Sequence, residues 1–286
     1  MTTIFEIRRQ ILSQLDALGI EDYEARRESE LIIQHATGCD TAQQILKGQE
    51  NLEEAEEILL RRILEQRQER VPLQYCIGHT WFMGLRFEVE PGVFIPRPDT
   101  EALVIRAHEL IASSDKSNWT IVEVGIGSGA IAVSLLKLLP NCEVVAFDIS
   151  AIACAVSRKN AELNGVSARL CIECGDWRQL LPDDIDLLVS NPPYIPRSQA
   201  PSLLPEVGVH EPDQALFGTD EDGLGFYRDF AGLVPAHFRH NHGYIALEVG
   251  DGQSGTVSEI FTTRDWFEVK TNLDMSGTPR VVTARK

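Results

Sequence analysis

The chain has 286 residues, 43% hydrophobic and 24% charged, which are proportions typical of a globular protein with a sizeable core. Its formal net charge of -17 at pH 7 argues against broad attraction to nucleic-acid phosphates and would favour a basic partner. The first residues, MTTIFEIRRQ, lack the apolar core of a signal peptide, and no run is long and apolar enough for a membrane helix, so we expect a cytoplasmic protein.

Apolar residues recur at helical spacing from Ile4 to about Arg70, and glycines separate the segments. The helical segments are IFEIRRQILSQLDAL, EARRESELIIQHAT and LEEAEEILLRRILEQR. Residues 1–75 are therefore predicted to form a small helical bundle domain. The next stretch, 76–97, alternates apolar and polar residues around Gly84 and then turns at proline and glycine. This pattern predicts a β-hairpin that links two domains.

Residues 98–286 alternate between helical and strand-like segments. They begin with the helix TEALVIRAHELIAS and the strand TIVEVG, and they end with the strands FEVKTNLD and RVVTARK. Such alternation predicts a doubly wound α/β domain with a mostly parallel sheet and helices on both faces. The last two strands are close in sequence, so we expect an antiparallel hairpin at one edge of the sheet.

The first strand of this domain leads into a glycine-rich turn, EVGIGSGAIAV. Gly125, Gly127 and Gly129 lack a Cβ, so the backbone there lets a ligand approach closely. The second strand ends at Asp148, where an acid in such folds accepts hydrogen bonds from ribose hydroxyls. Together, the turn and the acid predict a cofactor that contains a nucleoside.

The glycine turn alone does not choose the cofactor. Gly125-x-Gly127-x-x-Ala130 also fits the dinucleotide pattern, which tolerates alanine at its last position. Glu123, just before the turn, favours a cofactor that carries an ammonium or sulfonium charge, because its carboxylate would repel a pyrophosphate.

A later strand, DLLVS, runs directly into the segment NPPYIP. Two adjacent prolines cannot lie inside a central strand, so a rigid loop must begin at Asn191. A planar nitrogen, such as a carboxamide or an exocyclic amine, would be oriented by hydrogen bonds to the Asn191 side-chain oxygen and the Pro192 carbonyl. The same two acceptors would stabilise positive charge on that nitrogen in the transition state. Tyr194 offers a flat face for packing, and we predict Asn191, Pro192 and Tyr194 as the catalytic residues.

One further pattern resembles a metal site. Cys171-x-x-Cys174 has the spacing of metal ligands, but no second pair lies nearby in the sequence, and a structural zinc needs four ligands. The segment also looks like an apolar strand, so we expect both thiols in the core and no metal.

These motifs in combination resemble the protein-(glutamine-N5) methyltransferases that modify peptide chain release factors, the HemK/PrmC family. The resemblance runs from about Val71 to the C-terminus, whereas the N-terminal helices match in size and helical character only. The matching segments are PLQYCIGHTWFMGLRFEVEPGVFIPRPDTE, EVGIGSGAIAV, FDIS, LLVSNPPYIP, EPDQALFGTDEDGLGFYRDF, LEVG and GTPRVVTARK. The resemblance implies a class I, Rossmann-like methyltransferase domain at 98–286 and a substrate-recognition domain at 1–75.

What the resemblance implies for chemistry is S-adenosylmethionine as methyl donor, S-adenosylhomocysteine as product, and the Gly-Gly-Gln glutamine of a class 1 release factor as acceptor. Carried over by position, Trp177 lies beside the adenine and Phe94 forms a lid. The implied cofactor-binding residues are Phe94, Glu123, Gly125, Ile126, Gly127, Ser128, Gly129, Asp148, Trp177 and Asn191. The implied substrate-binding residues are Asn191, Pro192, Pro193 and Tyr194. Ile126 stands where the family usually has threonine, so any hydrogen bond from that hydroxyl is lost. We expect a monomer with no membrane or direct nucleic-acid contact.

Four alternatives stay open at this point. An adenine-N6 methyltransferase uses a similar loop, although the acidic charge and the lack of a DNA-reading insert count against it. A ribosomal-protein glutamine is another acceptor within the same chemistry. An NAD-dependent oxidoreductase would share the glycine turn and Asp148 but would not need the NPPY segment. A binding module without activity would require the cofactor site to be vestigial.

Overall fold

The computed structural model describes residues 2–286. The helices are α1 (Ile4–Ala17), α2 (Asp22–Thr37), α3 (Thr41–Leu46), α4 (Glu54–Gln68), α5 (Leu73–Ile77), α6 (Glu101–Ala112), α7 (Ala130–Leu138), α8 (Ala151–Leu163), α9 (Trp177–Leu180), α10 (Pro205–Gly208), α11 (Asp213–Leu216), α12 (Gly225–Leu233) and α13 (Ser254–Thr262). The strands are β1 (His79–Phe82), β2 (Leu85–Glu88), β3 (Trp119–Val124), β4 (Cys142–Asp148), β5 (Leu170–Cys174), β6 (Leu187–Ser190), β7 (Tyr244–Glu248), β8 (Phe267–Leu273) and β9 (Pro279–Arg285). No helix within residues 2–286 combines the length and apolar character needed to cross a membrane.

The chain divides into two compact units. The first, the helical unit, runs to Gly78 and also includes Pro205–His210. The second, the sheet unit, comprises His79–Leu204 and Glu211–Lys286. The first boundary therefore lies three residues after the predicted limit at 75, because the unpredicted helix α5 extends the helical unit.

The helical unit contains the three predicted helices as α1, α2 and α4. α1 begins with a capping box, in which Thr3 and Glu6 satisfy each other's backbone N–H groups. The periodic apolar positions form the core, as the sequence predicted, with Ile11, Leu15 and Leu60 fully buried. The short helix α3 was not predicted, since six residues are too few to establish a helical period.

A buried ion cluster lies in the same unit. The side chain of Arg67 is 2% exposed, and it donates to the Glu28 carboxylate at 3.0 Å and to Glu206 in α10 at 3.3 Å. Arg70 also donates to Glu206, at 2.7 Å. Glu206 is thus shared between two arginines of the N-terminal helical segment, and this sharing explains why a short stretch beyond residue 200 belongs to the helical unit.

The predicted hairpin is formed by β1 and β2, which pair antiparallel. Its two turn residues, Met83 and Gly84, have φ of 50° and 72°, the combination required by a type I′ turn. Phe82 and Phe87 pack edge to face, with ring centroids 6.2 Å apart, and both are buried in a core of the sheet unit. The hairpin at 76–97 was predicted as a separate linker. Its aromatic residues instead make it part of the sheet unit.

The sheet unit has the predicted doubly wound architecture. Its seven strands lie in the order β5-β4-β3-β6-β7-β9-β8. The first five strands in this order are parallel, and β9 pairs antiparallel with both β7 and β8. Side chains that alternate along the strands fill a separate hydrophobic core on each face. The carboxyl ends of β3, β4, β6 and β7 meet at one edge, which brings Glu123, Asp148, Asn191 and Glu248 into one region.

One expectation about the core was wrong. Cys171 and Cys174 are exposed rather than buried. They lie on β5, the first strand in the order above, and an edge strand of this kind has less cover than a central one.

Candidate functional site

A cavity of about 300 Å³ lies at the carboxyl edge of the sheet. Its size falls within the range of small-molecule sites. The structure places nearly every predicted site residue in its wall: Phe94, Glu123, Gly125, Ile126, Gly127, Ser128, Asp148, Trp177, Asn191, Pro192, Pro193 and Tyr194. The exception is Gly129, which caps the N-terminus of α7.

The glycine turn has a backbone shape that other residues rarely adopt. Gly125, Gly127 and Gly129 have φ of 76°, 54° and 84°. The N–H groups of Gly125 and Ile126 both donate to the Phe147 carbonyl, at 2.8 and 3.1 Å, and this holds the turn against the end of β4. The exposed inner backbone of the turn can therefore approach a ligand without intervening side chains.

Asp148 joins the turn to the next strand. One carboxylate oxygen accepts from the Gly127 N–H at 3.0 Å, and the other accepts from the Ser150 N–H at 2.8 Å. Burial raises the pKa of Asp148, and these two backbone hydrogen bonds oppose the rise. Each carboxylate oxygen keeps a second acceptor position, so Asp148 can still bind a hydroxyl pair.

Glu123 is a buried carboxyl with no hydrogen bond to either oxygen from residues 2–286. It is 1% exposed and lies in the cavity wall. Burial raises its pKa well above the usual range; the Ala132 backbone amide partly opposes this shift without reaching hydrogen-bond geometry, and the Asp148 charge adds to it. A cation in the cavity would give this carboxyl the partner that the protein does not. The donor set thus fits a ligand with an ammonium or sulfonium group and does not fit a phosphate.

Two aromatic residues, Trp177 and Phe94, lie in the cavity wall. Trp177 is 4% exposed and packs on Phe230, with centroids 5.0 Å apart, and its indole N–H has no partner within the described chain. Phe94 is covered by the Arg97 guanidinium, 5.1 Å from the ring centroid. Arg97 in turn pairs with the buried Glu211, and this pairing fixes the segment that carries Phe94.

The NPPY loop is held by contacts on several sides. The Ser190 hydroxyl donates to the Val124 carbonyl at 2.7 Å, and the Asn191 side-chain N–H donates to Thr100 Oγ1 at 3.2 Å. The Tyr194 carbonyl accepts from the Gln253 side chain at 3.0 Å. The loop is therefore a rigid platform rather than a flexible turn, as its two prolines predicted.

Glu248, at the end of β7, is an acid that the sequence reasoning did not single out. It is 2% exposed, and burial raises its pKa to about 7; the Thr100 and Tyr194 hydroxyls and the Arg280 charge oppose this rise, and Asp99 adds to it. Burial also raises the pKa of Tyr194 above its usual range, so the phenol stays neutral. Glu248 and Thr100 both lie in motifs that carry the family resemblance, LEVG and PDTE. Membership of these two motifs is the signal that could have identified both residues, and Glu248 also ends β7, the strand that pairs with β6.

Comparisons with known proteins address the family. Residues 6–78 match the model described as the PrmC N-terminal domain, and residues 85–207 match the one described as the methyltransferase small domain. The chain is 37% identical over 268 residues to the release factor glutamine methyltransferase of Geobacter sulfurreducens, covering 93% of this chain and 91% of that protein. It is 34% identical over 277 residues to the protein of the same name from Cereibacter sphaeroides, covering 97% and 96%.

Among solved structures, a methyltransferase from Pyrococcus furiosus superposes with a TM-score of 0.52 at 16% identity, covering 71% of this chain and 90% of that one. At this identity the likeness concerns the fold alone. It agrees with the doubly wound sheet unit described above.

Proposed function

The chain belongs to the release factor glutamine methyltransferases, and from that premise we propose that it methylates the side-chain nitrogen of the Gly-Gly-Gln glutamine in class 1 release factors, with S-adenosylmethionine as donor. The observation that carries the proposal is Asn191 at the carboxyl end of β6, in the wall of the cavity that Glu123 and the glycine turn also line. One part of that wall suits a cationic nucleoside, and the neighbouring part suits a planar amide.

The residues present fit S-adenosylmethionine. Glu123 would pair with its positive charge, the backbone from Gly125 to Ser128 would line its methionine end, and Asp148 would bind the ribose hydroxyls. Trp177 would pack beside the adenine, and Phe94 would cover the site. When bound, the cofactor supplies an electrophilic methyl group carried on a sulfonium ion, and the product left behind is S-adenosylhomocysteine.

The NPPY loop acts on the acceptor amide. An amide nitrogen is a poor nucleophile because its lone pair is delocalised. Asn191 Oδ1 and the Pro192 carbonyl accept its two N–H groups, which orients the nitrogen and stabilises the positive charge that develops on it. Tyr194 packs against the amide plane, and Pro193 keeps the loop stiff. The alkylated amide cation loses its proton readily, so no dedicated general base is required.

We also propose that the two parts of the chain have different functions. The predicted N-terminal domain, residues 1–75, would recognise the release factor, and the sheet unit would bind the cofactor and carry out the transfer. The protein would act in the cytoplasm as a monomer and would bind no nucleic acid directly; the net charge of -17 supports the last point.

The test is peptide mass spectrometry on an unmodified release factor incubated with the protein and S-adenosylmethionine. We expect one added methyl group on the Gly-Gly-Gln glutamine, and a strongly reduced rate of its addition with Asn191→Ala while S-adenosylmethionine still binds. Cofactor binding without methylation of that residue would contradict the proposal. Parallel incubations with ribosomal proteins and with adenine-containing nucleic acid would then identify the acceptor.

A further inference from the structure

The side chain of Asn191 has two chemically different ends. Its oxygen can accept the N–H groups of an amide, whereas its NH2 group would meet them as donor against donor. The proposed reaction, on which this inference rests, therefore requires the oxygen end to face the cavity. A neighbouring group in the protein must therefore favour one of the two orientations of the Asn191 amide by hydrogen bonding.

Thr100 contacts the other end of that amide. It lies directly before α6 and is 4% exposed, and its Oγ1 accepts from Asn191 Nδ2 at 3.2 Å. A hydroxyl can also donate, however. If Thr100 donated to Asn191, the amide would turn over and present NH2 to the substrate. The orientation thus depends on where the Thr100 proton is directed.

Glu248 provides the acceptor for that proton. The Thr100 and Tyr194 hydroxyls lie near enough to this buried carboxyl to lower its pKa, but neither reaches hydrogen-bond geometry with it. Oε2 is buried and has no hydrogen-bond partner within the described residues, so it is an acceptor still available to the Thr100 hydroxyl. An ionised carboxylate can only accept. The charged groups nearby are Arg280 and Asp99, which also form an ion pair with each other at 3.5 Å.

We propose that Thr100 and Glu248 are positioning residues that fix the Asn191 amide with its oxygen toward the substrate. Glu248 accepts a hydrogen bond from the Thr100 hydroxyl, the Thr100 oxygen accepts from Asn191 Nδ2, and Asn191 Oδ1 is left to accept from the substrate N–H. No bond is made or broken in this chain; only the direction of its hydrogen bonds matters. Neither residue touches the methyl group.

The central test replaces Thr100 with valine, which keeps the shape but removes the hydroxyl, and with serine, which keeps the hydroxyl. We expect Thr100→Val to lower kcat by roughly 10- to 100-fold, the effect of losing one or two buried hydrogen bonds, and Thr100→Ser to restore most of it. Binding of S-adenosylmethionine should stay within about twofold, because Thr100 acts only on the acceptor side. A valine variant with wild-type kcat would overturn the proposal.

A double-mutant cycle separates positioning from general damage. In the Asn191→Ala background, Thr100→Val should cause little further loss, because there is no amide left to orient. If Thr100→Val lowered kcat by the same factor in the wild-type and in the Asn191→Ala backgrounds, the proposal would be overturned.

The pH profile tests the role of Glu248. A protonated Glu248 can donate to Thr100 and release the hydroxyl toward Asn191, so kcat at saturating substrates should fall as pH drops below about 7. In Glu248→Gln, whose amide oxygen can still accept, that acid limb should flatten. An unchanged acid limb would contradict this role.

A readout that needs no activity keeps the inference apart from the proposed function. In ¹⁵N NMR spectra of the full chain, the Asn191 side-chain NH2 protons should exchange slowly with solvent in the wild type and in Thr100→Ser, and rapidly in Thr100→Val. If the wild type does not methylate the release factor but shows this pattern, the proposed function fails and the orientation of Asn191 stands. Rapid exchange in the wild type would overturn the orientation itself.

Discussion

Glu123 links cofactor binding to proton release. Its raised pKa means that the free protein holds this carboxyl protonated over a wider pH range than usual. A bound cation favours the charged form, so binding should expel a proton, and affinity should rise with pH until Glu123 is ionised.

We expect Glu123→Gln to weaken S-adenosylmethionine binding by about 10-fold or more and to abolish this proton release, since a buried charged hydrogen-bonded pair is worth about 1.5–3 kcal/mol. Calorimetric titration in buffers of different ionisation enthalpy measures both quantities. Ser134→Ala, at a buried position of α7 outside the cavity wall, serves as a control for local disturbance. Equal proton release in the wild type and in Glu123→Gln would refute the assignment.

Glu248 affects stability in the opposite direction from a typical salt-bridged acid. Its folded pKa of about 7 lies above the ordinary value of 4.5, so between these pH values the folded state holds a proton that the unfolded state has released. The contribution of Glu248 to the free energy of unfolding is therefore fully present below pH 4.5 and is lost as the pH rises through about 7.

Glu248→Gln should therefore be more stable than the wild type at pH 8, by up to about 3 kcal/mol, because it removes a buried charge. The gain should disappear below pH 4.5, where the wild-type acid becomes protonated in the unfolded state as well. Urea unfolding at the two pH values measures the difference. A gap of the same size at both would show that burial of charge is not its cause.

The loop elements around Tyr194 depend on glycines that leave no room for a side chain. A Cβ on Gly223, whose φ is 75°, would lie 2.1 Å from the Tyr194 carbonyl oxygen. A Cβ on Gly250 would lie 2.9 Å from the Tyr194 ring. The backbone at Gly223 and at Gly250 thus packs directly against Tyr194, and this packing fixes the NPPY loop.

We expect Gly223→Ala to cost about 3 kcal/mol of stability, the sum of left-handed strain and overpacking, and to reduce methylation more than cofactor binding. Gly232→Ala is the matched control. Gly232 lies in α12 with no atom near the new Cβ, and alanine there should stabilise the helix by about 0.5–1 kcal/mol. Thermal unfolding of both variants measures the contrast, and similar losses in the two would refute the packing explanation.

Helices, strands and turns could be predicted from the sequence where a local pattern encodes them. Contacts between side chains far apart in the sequence could not. Alternation around Met83 and Gly84 was enough to predict a hairpin, and the paired prolines predicted the rigid loop after β6. Thr100, however, lies 91 residues before Asn191, and Glu211 lies 114 residues after Arg97. Periodicity carries no information about which remote side chain meets which. The exposure of Cys171 could not be read either, because its strand looks apolar and only the sheet order makes it an edge.

At the scale of the whole protein, removal of residues 1–78 tests the proposal that the N-terminal domain recognises the release factor. The release factor should then be methylated at least about 100-fold more slowly, while S-adenosylmethionine affinity changes less than about threefold, because substrate-binding energy and cofactor binding would reside in different parts of the chain. Calorimetry and mass spectrometry on the same preparation give the two numbers, and circular dichroism verifies folding. A parallel loss of both in a folded protein would contradict the proposal.

The shared carboxylate of Glu206 restricts how this protein can be recombined with its relatives. A chimera joined at Gly78 would give the foreign helices a hexapeptide, Pro205–His210, that is matched to Arg67 and Arg70 of the original chain. Conversely, if only residues before Gly78 were transplanted, Arg67 would keep Glu28 but lose Glu206, which leaves a buried cation with one counterion fewer. The helical unit is therefore encoded by two separate segments of the chain. A viable chimera must exchange both segments, and so needs three junctions, after Gly78, before Pro205 and after His210, rather than one.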